Sequence, residues 1–235
     1  MRDISLDQPI AHGRICDVYD WDDDHVLKLF HNWFQREDIE HELKISRAVY
    51  SSGVKTPAVG EMILGQGRVG LLYQRVDGKS MFEILLSKPW RIFAYARLFA
   101  KLHFQMHATI FQSNDIPSQK GKLERRIKYI DSLPSQLKTS LLGTLTSLPE
   151  GNRGCHGDFH PGNVLVTDKG GLVIDWIDAA RGNPLADVAR TSILLQGMAE
   201  NQVPSLLLKN FIWIFHTPYL RNYIRLHPFD TKEYR

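Results

Sequence analysis

The chain has 235 residues, 43% hydrophobic and 23% charged, which is enough for one large domain or two lobes around a buried core and too apolar for gross disorder. Its formal charge of +3 gives no general attraction to nucleic acid or to a membrane surface, so neither partner is expected. Cys16 and Cys155 stand far apart and outside any metal-type pair, which suits free thiols in a reducing cytoplasm; no stretch is apolar for long enough to span a bilayer, and no signal-peptide pattern is visible.

In chain order, Val18–Trp21, the acidic turn Asp22-Asp23-Asp24 and Val26–Phe30 read as a hairpin. In the second strand, "VLKLF", Lys28 interrupts an apolar run, and a buried ammonium needs a partner or it sheds its proton. The alternative is a lysine snorkelling from an edge strand. Arg36–Ser51, with Ile39, Leu43, Ile45 and Val49 apolar, reads as a helix stopped by Gly53 and Pro57. Glu42 on this helix is a suitable partner for Lys28, with Glu37 and Glu40 as rivals. Glu61–Leu64, the turn Gly65-Gln66-Gly67 and Val69–Gln74 make a second hairpin, and Gln74–Lys79 a connector.

Beyond the connector the period changes to that of helices. Ile92, Tyr95, Ala96, Phe99, Leu102, Met106 and Ile110 lie at helical spacing over Arg91–Ile110. Helical segments continue over Leu123–Leu148, broken near Pro134 and Pro149. The basic run Lys120–Lys128 ("KGKLERRIK") reads as a solvated helix face, with phosphate binding as its alternative. Further helices are expected from Asp187 to Arg225. The expected fold is α+β and bilobal: a small antiparallel-sheet lobe with one helix over 1–76, and a mainly helical lobe over 77–235.

Between these helices lies "HGDFHPGN", His156 to Asn163, followed by β-prone Val164–Thr167 and Leu172–Ile174 around the turn Asp168-Lys169-Gly170-Gly171. If Val164 pairs with Ile174, Asn163 faces Asp175 with Cβ atoms about 5 Å apart; a slip of one residue makes the pairing diagonal. Asp158 precedes the hairpin and is the natural base for a hydroxyl nucleophile, while the oxygen donors of Asn163 and Asp175 suit Mg2+ shared with phosphates. A metallohydrolase using His156, Asp158 and His160 is the alternative. Alternate residues on one loop cannot complete that shell alone, so both histidines read as hydrogen-bonding scaffold.

"HGDFHPGNVLV…LVIDW" resembles the catalytic-loop and metal-loop signature of the aminoglycoside phosphotransferase and choline kinase group, small-molecule relatives of the protein kinases. The resemblance implies a protein-kinase-like fold, ATP as co-substrate, Mg2+, and transfer of the γ-phosphate to a small hydroxylated acceptor. It implies Asp158 as base, Asn163 and Asp175 as metal ligands, Lys28 on the α/β-phosphates, and Glu42 holding that lysine. It also implies a hinge whose backbone meets adenine around Gln74–Val76, a phosphate loop at "IAHGRICDVYDW" with Gly13 its sole glycine, and Asp187 in "NPLADVAR" bracing the catalytic loop. The few acids in Asn201–Arg235 argue against a polycationic aminoglycoside as acceptor. Protein phosphorylation and nucleotide sensing without turnover are the competing readings. The short path from Asp175 to "GNPLADVAR" favours small acceptors.

Overall fold

Five antiparallel strands, β1 (Ala11–His12), β2 (Cys16–Asp20), β3 (His25–Phe30), β4 (Val59–Gly65) and β5 (Arg68–Gln74), form a sheet in the order β1-β2-β3-β5-β4. The structure is a computed structural model and describes residues 8–65, 67–201 and 206–227. Strand β3 lies at the centre, with Lys28 paired to Val18 on one side and to Leu71 on the other. Leu27 and Leu29 are fully buried on one face. The alternation of a strand sends Lys28 and Phe30 to the opposite face, where Phe30 packs with Cys16, Ile39 and Leu71. Lys28 is therefore on a central strand, and the edge-strand alternative does not hold.

Helix α1 (Arg36–Ser51) carries Glu37 and Asp38 in its first turn, where they favour the positive end of the helix. It stops at Gly53, whose φ of +84° is left-handed backbone that favours glycine. Its buried residues, Ile39, Glu42, Ile45, Ser46 and Val49, follow helical spacing on one face. Ile39 packs into the sheet cluster, while Ile45 and Val49 join the larger core of the helical region. Glu42 thus sits between two cores, and the rivals do not compete: Glu37 is exposed and Glu40 pairs with Arg36.

The second region opens with β6 (Lys79–Ser80) and α2 (Met81–Ser87), the latter capped by a reciprocal Ser80–Glu83 box. A short 3-10 turn at Pro89–Arg91 leads into α3 (Ile92–Ala108), followed by α4 (Gln119–Tyr129) and α5 (Ser135–Ser147). The helical run around Pro134 divides where proline forbids its continuation. Then come β7 (Arg153–Cys155), a 3-10 turn at Pro161–Asn163, β8 (Val164–Thr167), β9 (Gly170–Val173), β10 (Ala180–Gly182), α6 (Pro184–Asn201) and α7 (Leu206–Leu226). Strands β6, β8 and β9 form one small sheet, and β7 pairs with β10. Phe99 stacks on Phe159 at 4.1 Å and meets Tyr219 edge-on, so α3, the loop after β7 and α7 share one aromatic core. Gln66 of the second hairpin turn and most of the charged C-terminal residues considered above lie outside the described residues. Among the described residues, no helix is long and apolar enough to cross a membrane.

Candidate active site

The Lys28 ammonium lies 2.6 Å from Glu42 Oε1 and 3.0 Å from Asp175 Oδ1, joining β3, α1 and the segment after β9 across 147 residues of chain. Burial opposes the lysine's charge, and Glu42 and Asp175 more than reverse this, holding Lys28 well above the usual lysine range. Glu42 is fully buried and its oxygen is shared: the Tyr73 hydroxyl donates to Oε1 at 2.9 Å and accepts in turn from Ser46 at 3.0 Å. Composition and spacing do not reveal Tyr73, because a tyrosine on a strand is ordinary.

Strands β8 and β9 pair Val164 with Val173, one residue short of the expected register. Ile174 lies opposite Asn163, donating its N–H to the Asn163 carbonyl at 3.0 Å. Asp175 therefore follows the ladder rather than facing Asn163. Its φ of +66° makes it the one non-glycine residue with positive φ among those described, a conformation that aspartate tolerates better than most. This twist turns its carboxylate toward Lys28, with about a third of the side chain exposed (35%). Asn163 sits in the 3-10 turn, and its Nδ2 donates to the Asp158 carbonyl at 3.0 Å. The amide is thereby oriented, leaving Oδ1 for another partner.

Asp158 lies on the loop after β7, with its carboxylate partly exposed (34%) and 3.7 Å from His160 Nε2. Burial would raise its pKa, but His160, His156 and Arg190 together hold it below the usual value. The loop is pinned from behind by Asp187, a fully buried carboxylate. Asp187 accepts from the His156 amide at 2.8 Å and the Gly157 amide at 2.9 Å, and from Nε2 of His103 and of His107 at 3.2 Å each. On the far side of each imidazole, Nδ1 meets the hydroxyl of Tyr219 at 2.8 Å or of Tyr223 at 2.6 Å. Burial alone would raise Asp187, yet these donors hold it well below the carboxylate range; burial and His107 push His103 down to about 3. His103, His107 and Asp187 offer ligand atoms within 4.8 Å of one another, but the ring nitrogens are already bonded within the protein, so the cluster is a hydrogen-bond hub. The spacing His103/His107 and Tyr219/Tyr223 (i, i+4 on facing helices) was the available signal for it.

His156 is also committed to the backbone: Nε2 donates to the Ile174 carbonyl at 3.0 Å and Nδ1 accepts from the Asp158 amide at 3.2 Å. With both nitrogens in use, the metal trio of His156, Asp158 and His160 does not form. Gly13 lies in the exposed turn between β1 and β2, its N–H bonded to the Cys16 carbonyl at 2.8 Å. Gln74 ends β5, its N–H on the Ala58 carbonyl at 2.8 Å, and Val76 is half-buried in the connector beyond. Arg190, which donates from Nε to the Gly157 carbonyl, and Lys122, which donates to Asp178, also adjoin the loop and lie outside the sequence-derived set.

The profile of the phosphotransferase enzyme family matches residues 8–209. No curated protein matches at the level required for a relative. Among solved structures, an aminoglycoside-3′-phosphotransferase of type VIII is similar at 20% identity, covering 93% of this chain and 84% of its own, with a TM-score of 0.60. The streptomycin–ATP ternary complex of APH(2″)-IIa is similar at 15% identity, covering 99% and 82%, with a TM-score of 0.57. APH(3″)-Id from Streptomyces rimosus, in complex with ADP and streptomycin, is similar at 17% identity, covering 94% and 91%, with a TM-score of 0.53. These likenesses establish the kinase-like, bilobal α+β fold. A profile match across most of the chain, on a fold of this kind, means that the chain belongs to the phosphotransferase enzyme family.

Proposed function

We propose that the protein transfers the γ-phosphoryl group of ATP to a hydroxyl of a small molecule, in a cleft between a nucleotide-binding lobe (1–76) and a catalytic, acceptor-binding lobe (77–235). The observation that carries this reading is the three-membered contact of Lys28, Glu42 and Asp175, which sets one oriented ammonium beside one partly exposed carboxylate at the junction of sheet and helices. Lys28 steadies the α/β-phosphate oxygens, held in place by Glu42. Gly13 brings backbone amides over the phosphates, and the backbone around Gln74 and Val76 meets adenine. The hard oxygen donors of Asn163 and Asp175 fit Mg2+, which when bound neutralises charge on the β- and γ-phosphates.

Asp158 receives the proton of the acceptor hydroxyl as the new O–P bond forms and the bond from Pγ to the β-γ bridging oxygen breaks, releasing ADP. Its depressed pKa keeps it ionised, and so able to accept, at neutral pH. Positioning and charge neutralisation supply most of the rate. Four residues separate Asp175 from β10, and one of them, Trp176, is buried with its N–H on Thr56 at 3.0 Å. That leaves no room for a long peptide-docking segment, which supports a small acceptor. The similar structures are complexes with ATP and streptomycin or with ADP and streptomycin, which supports a nucleotide and a small hydroxylated acceptor.

The test pairs calorimetry of Mg-ATP binding with acceptor-dependent ADP release. Asp158→Ala is expected to lower turnover by about 10²–10⁴-fold while keeping nucleotide affinity. Turnover equal to wild type would remove the base assignment, and absence of Mg-ATP binding would remove the whole reading.

A further inference from the structure

Beside Asp158 lies a cluster of cations that nucleotide chemistry does not use. Gly157 has φ +77°, and a Cβ there would stand 2.5 Å from the Asp178 carbonyl oxygen, so Asp178 packs directly against the Gly157–Asp158 turn. Lys122 Nζ donates to the Asp178 carbonyl at 2.7 Å and its carboxylate at 3.1 Å. Arg126, one turn further along the same face of α4, donates to the same carboxylate oxygen at 2.7 Å. From α6, Arg190 reaches the Gly157 carbonyl. Among the described residues, Asp178 is the one carboxylate in ion-pair distance of Lys122 or Arg126, and none is within that distance of Arg190. Three cations thus gather about Asp178, and Arg190 also bears on the charge of Asp158.

The arrangement is built rather than incidental. The start of α4 is fastened to β10: the Arg181 amide bonds the Pro117 carbonyl at 2.9 Å, and the Asn183 amide bonds Gln119 Oε1 at 3.1 Å. Burial is the largest influence on Lys122 and depresses its pKa, which Asp178 only partly offsets; a second anion would complete the compensation. A polycationic aminoglycoside would meet repulsion here.

Resting on the phosphotransfer reading, we infer that the acceptor is a small hydroxylated anion, whose phosphate or carboxylate group is received by Lys122, Arg126 and Arg190 while its hydroxyl faces Asp158. Arginine presents paired donors suited to either oxyanion. The test uses thermal shift with the nucleotide side filled by Mg-AMP-PNP and four probes: glycerol 3-phosphate, glycerate, glycerol and kanamycin. A rise in Tm with one or both anions, none with glycerol or kanamycin, and about tenfold weaker anion response in Arg126→Glu is expected. Arg126 stands at the rim, half exposed (49%), so its replacement leaves the fold in place. Stabilisation by kanamycin above the anions, no response to either anion, or an unaltered response in Arg126→Glu would overturn the inference while the Mg-AMP-PNP shift persists. Loss of the Mg-AMP-PNP shift itself in wild type would instead overturn the phosphotransfer reading, and the acceptor assignment with it.

Discussion

The Asp187 hub and the Lys28 clamp are both charged centres in a folded interior, and they are finished in opposite ways. Asp187 is sealed: two imidazoles and two backbone amides converge on it, and each imidazole is backed by a tyrosine of α7. The clamp is open at one end, because Asp175 keeps about a third of its side chain accessible while Glu42 keeps none. A sealed centre fixes the position of the loop after β7. An open one leaves an accessible carboxylate beside a held ammonium. Damage to the hub should therefore appear in stability, and damage to the clamp in ligand binding.

The largest effect is expected from Asp187→Ala, which strands two buried imidazole donors and two loop amides. A loss of about 3–5 kcal/mol in urea unfolding should follow, and a loss below ~1 kcal/mol would break the distinction between hub and clamp. Next comes acid. Burial depresses His103, to about 3, and also His107 and His156, while histidine in the unfolded chain titrates near 6.5. Between those values the unfolded chain binds protons that the folded chain refuses, so stability is full above pH ~6.5 and declines as pH falls. The slope for His103 alone approaches about 1.4 kcal/mol per pH unit. Asp187, whose pKa is depressed, adds its own loss only below the usual carboxylate range. Urea midpoints that stay flat from pH 6.5 to 4.5 would show that the histidines charge in place.

At the clamp, Glu42→Gln preserves shape and removes the charge-assisted bond to Lys28. Mg-ATP affinity should fall about 10–100-fold by calorimetry, with unfolding changed far less than in the Asp187 variant. The smallest effect belongs to Tyr73→Phe, which deletes one hydrogen bond to Glu42 and should weaken Mg-ATP by about fivefold, near 1 kcal/mol. An equal fall in thermal stability for this variant would mean that Tyr73 braces the sheet rather than the glutamate.

Legibility followed the range of the interaction. The loop residues Asp158 and Asn163 could be read because they lie within eight residues of one another, and Lys28 because a charge in an apolar run is costly wherever it lies. The residues alone left Glu37 and Glu40 as rivals to Glu42, which the family resemblance favoured and the packing of α1 selected. The β8–β9 register could not be read, since the hairpin turn sets it: Thr167 pairs with Gly170, so Gly170 and Gly171 belong to β9 and not to the turn. Strands β6, β7 and β10 have two or three residues each, too few to show a period of two.

Local chemistry alone was enough to establish the family signature, the change from strand to helix period along the chain and the need of Lys28 for an acid, because each is a property of neighbouring residues or of a repeat along one element. Only the tertiary structure decided that Asp175 closes the clamp from 147 residues away, that Tyr73 and the paired imidazoles hold the two carboxylates, and that Lys122, Arg126 and Arg190 gather beside Asp158. Those contacts join elements with no sequence relation, and they form because packing of the helices and strands brings the groups together, where burial leaves each charge in need of a partner.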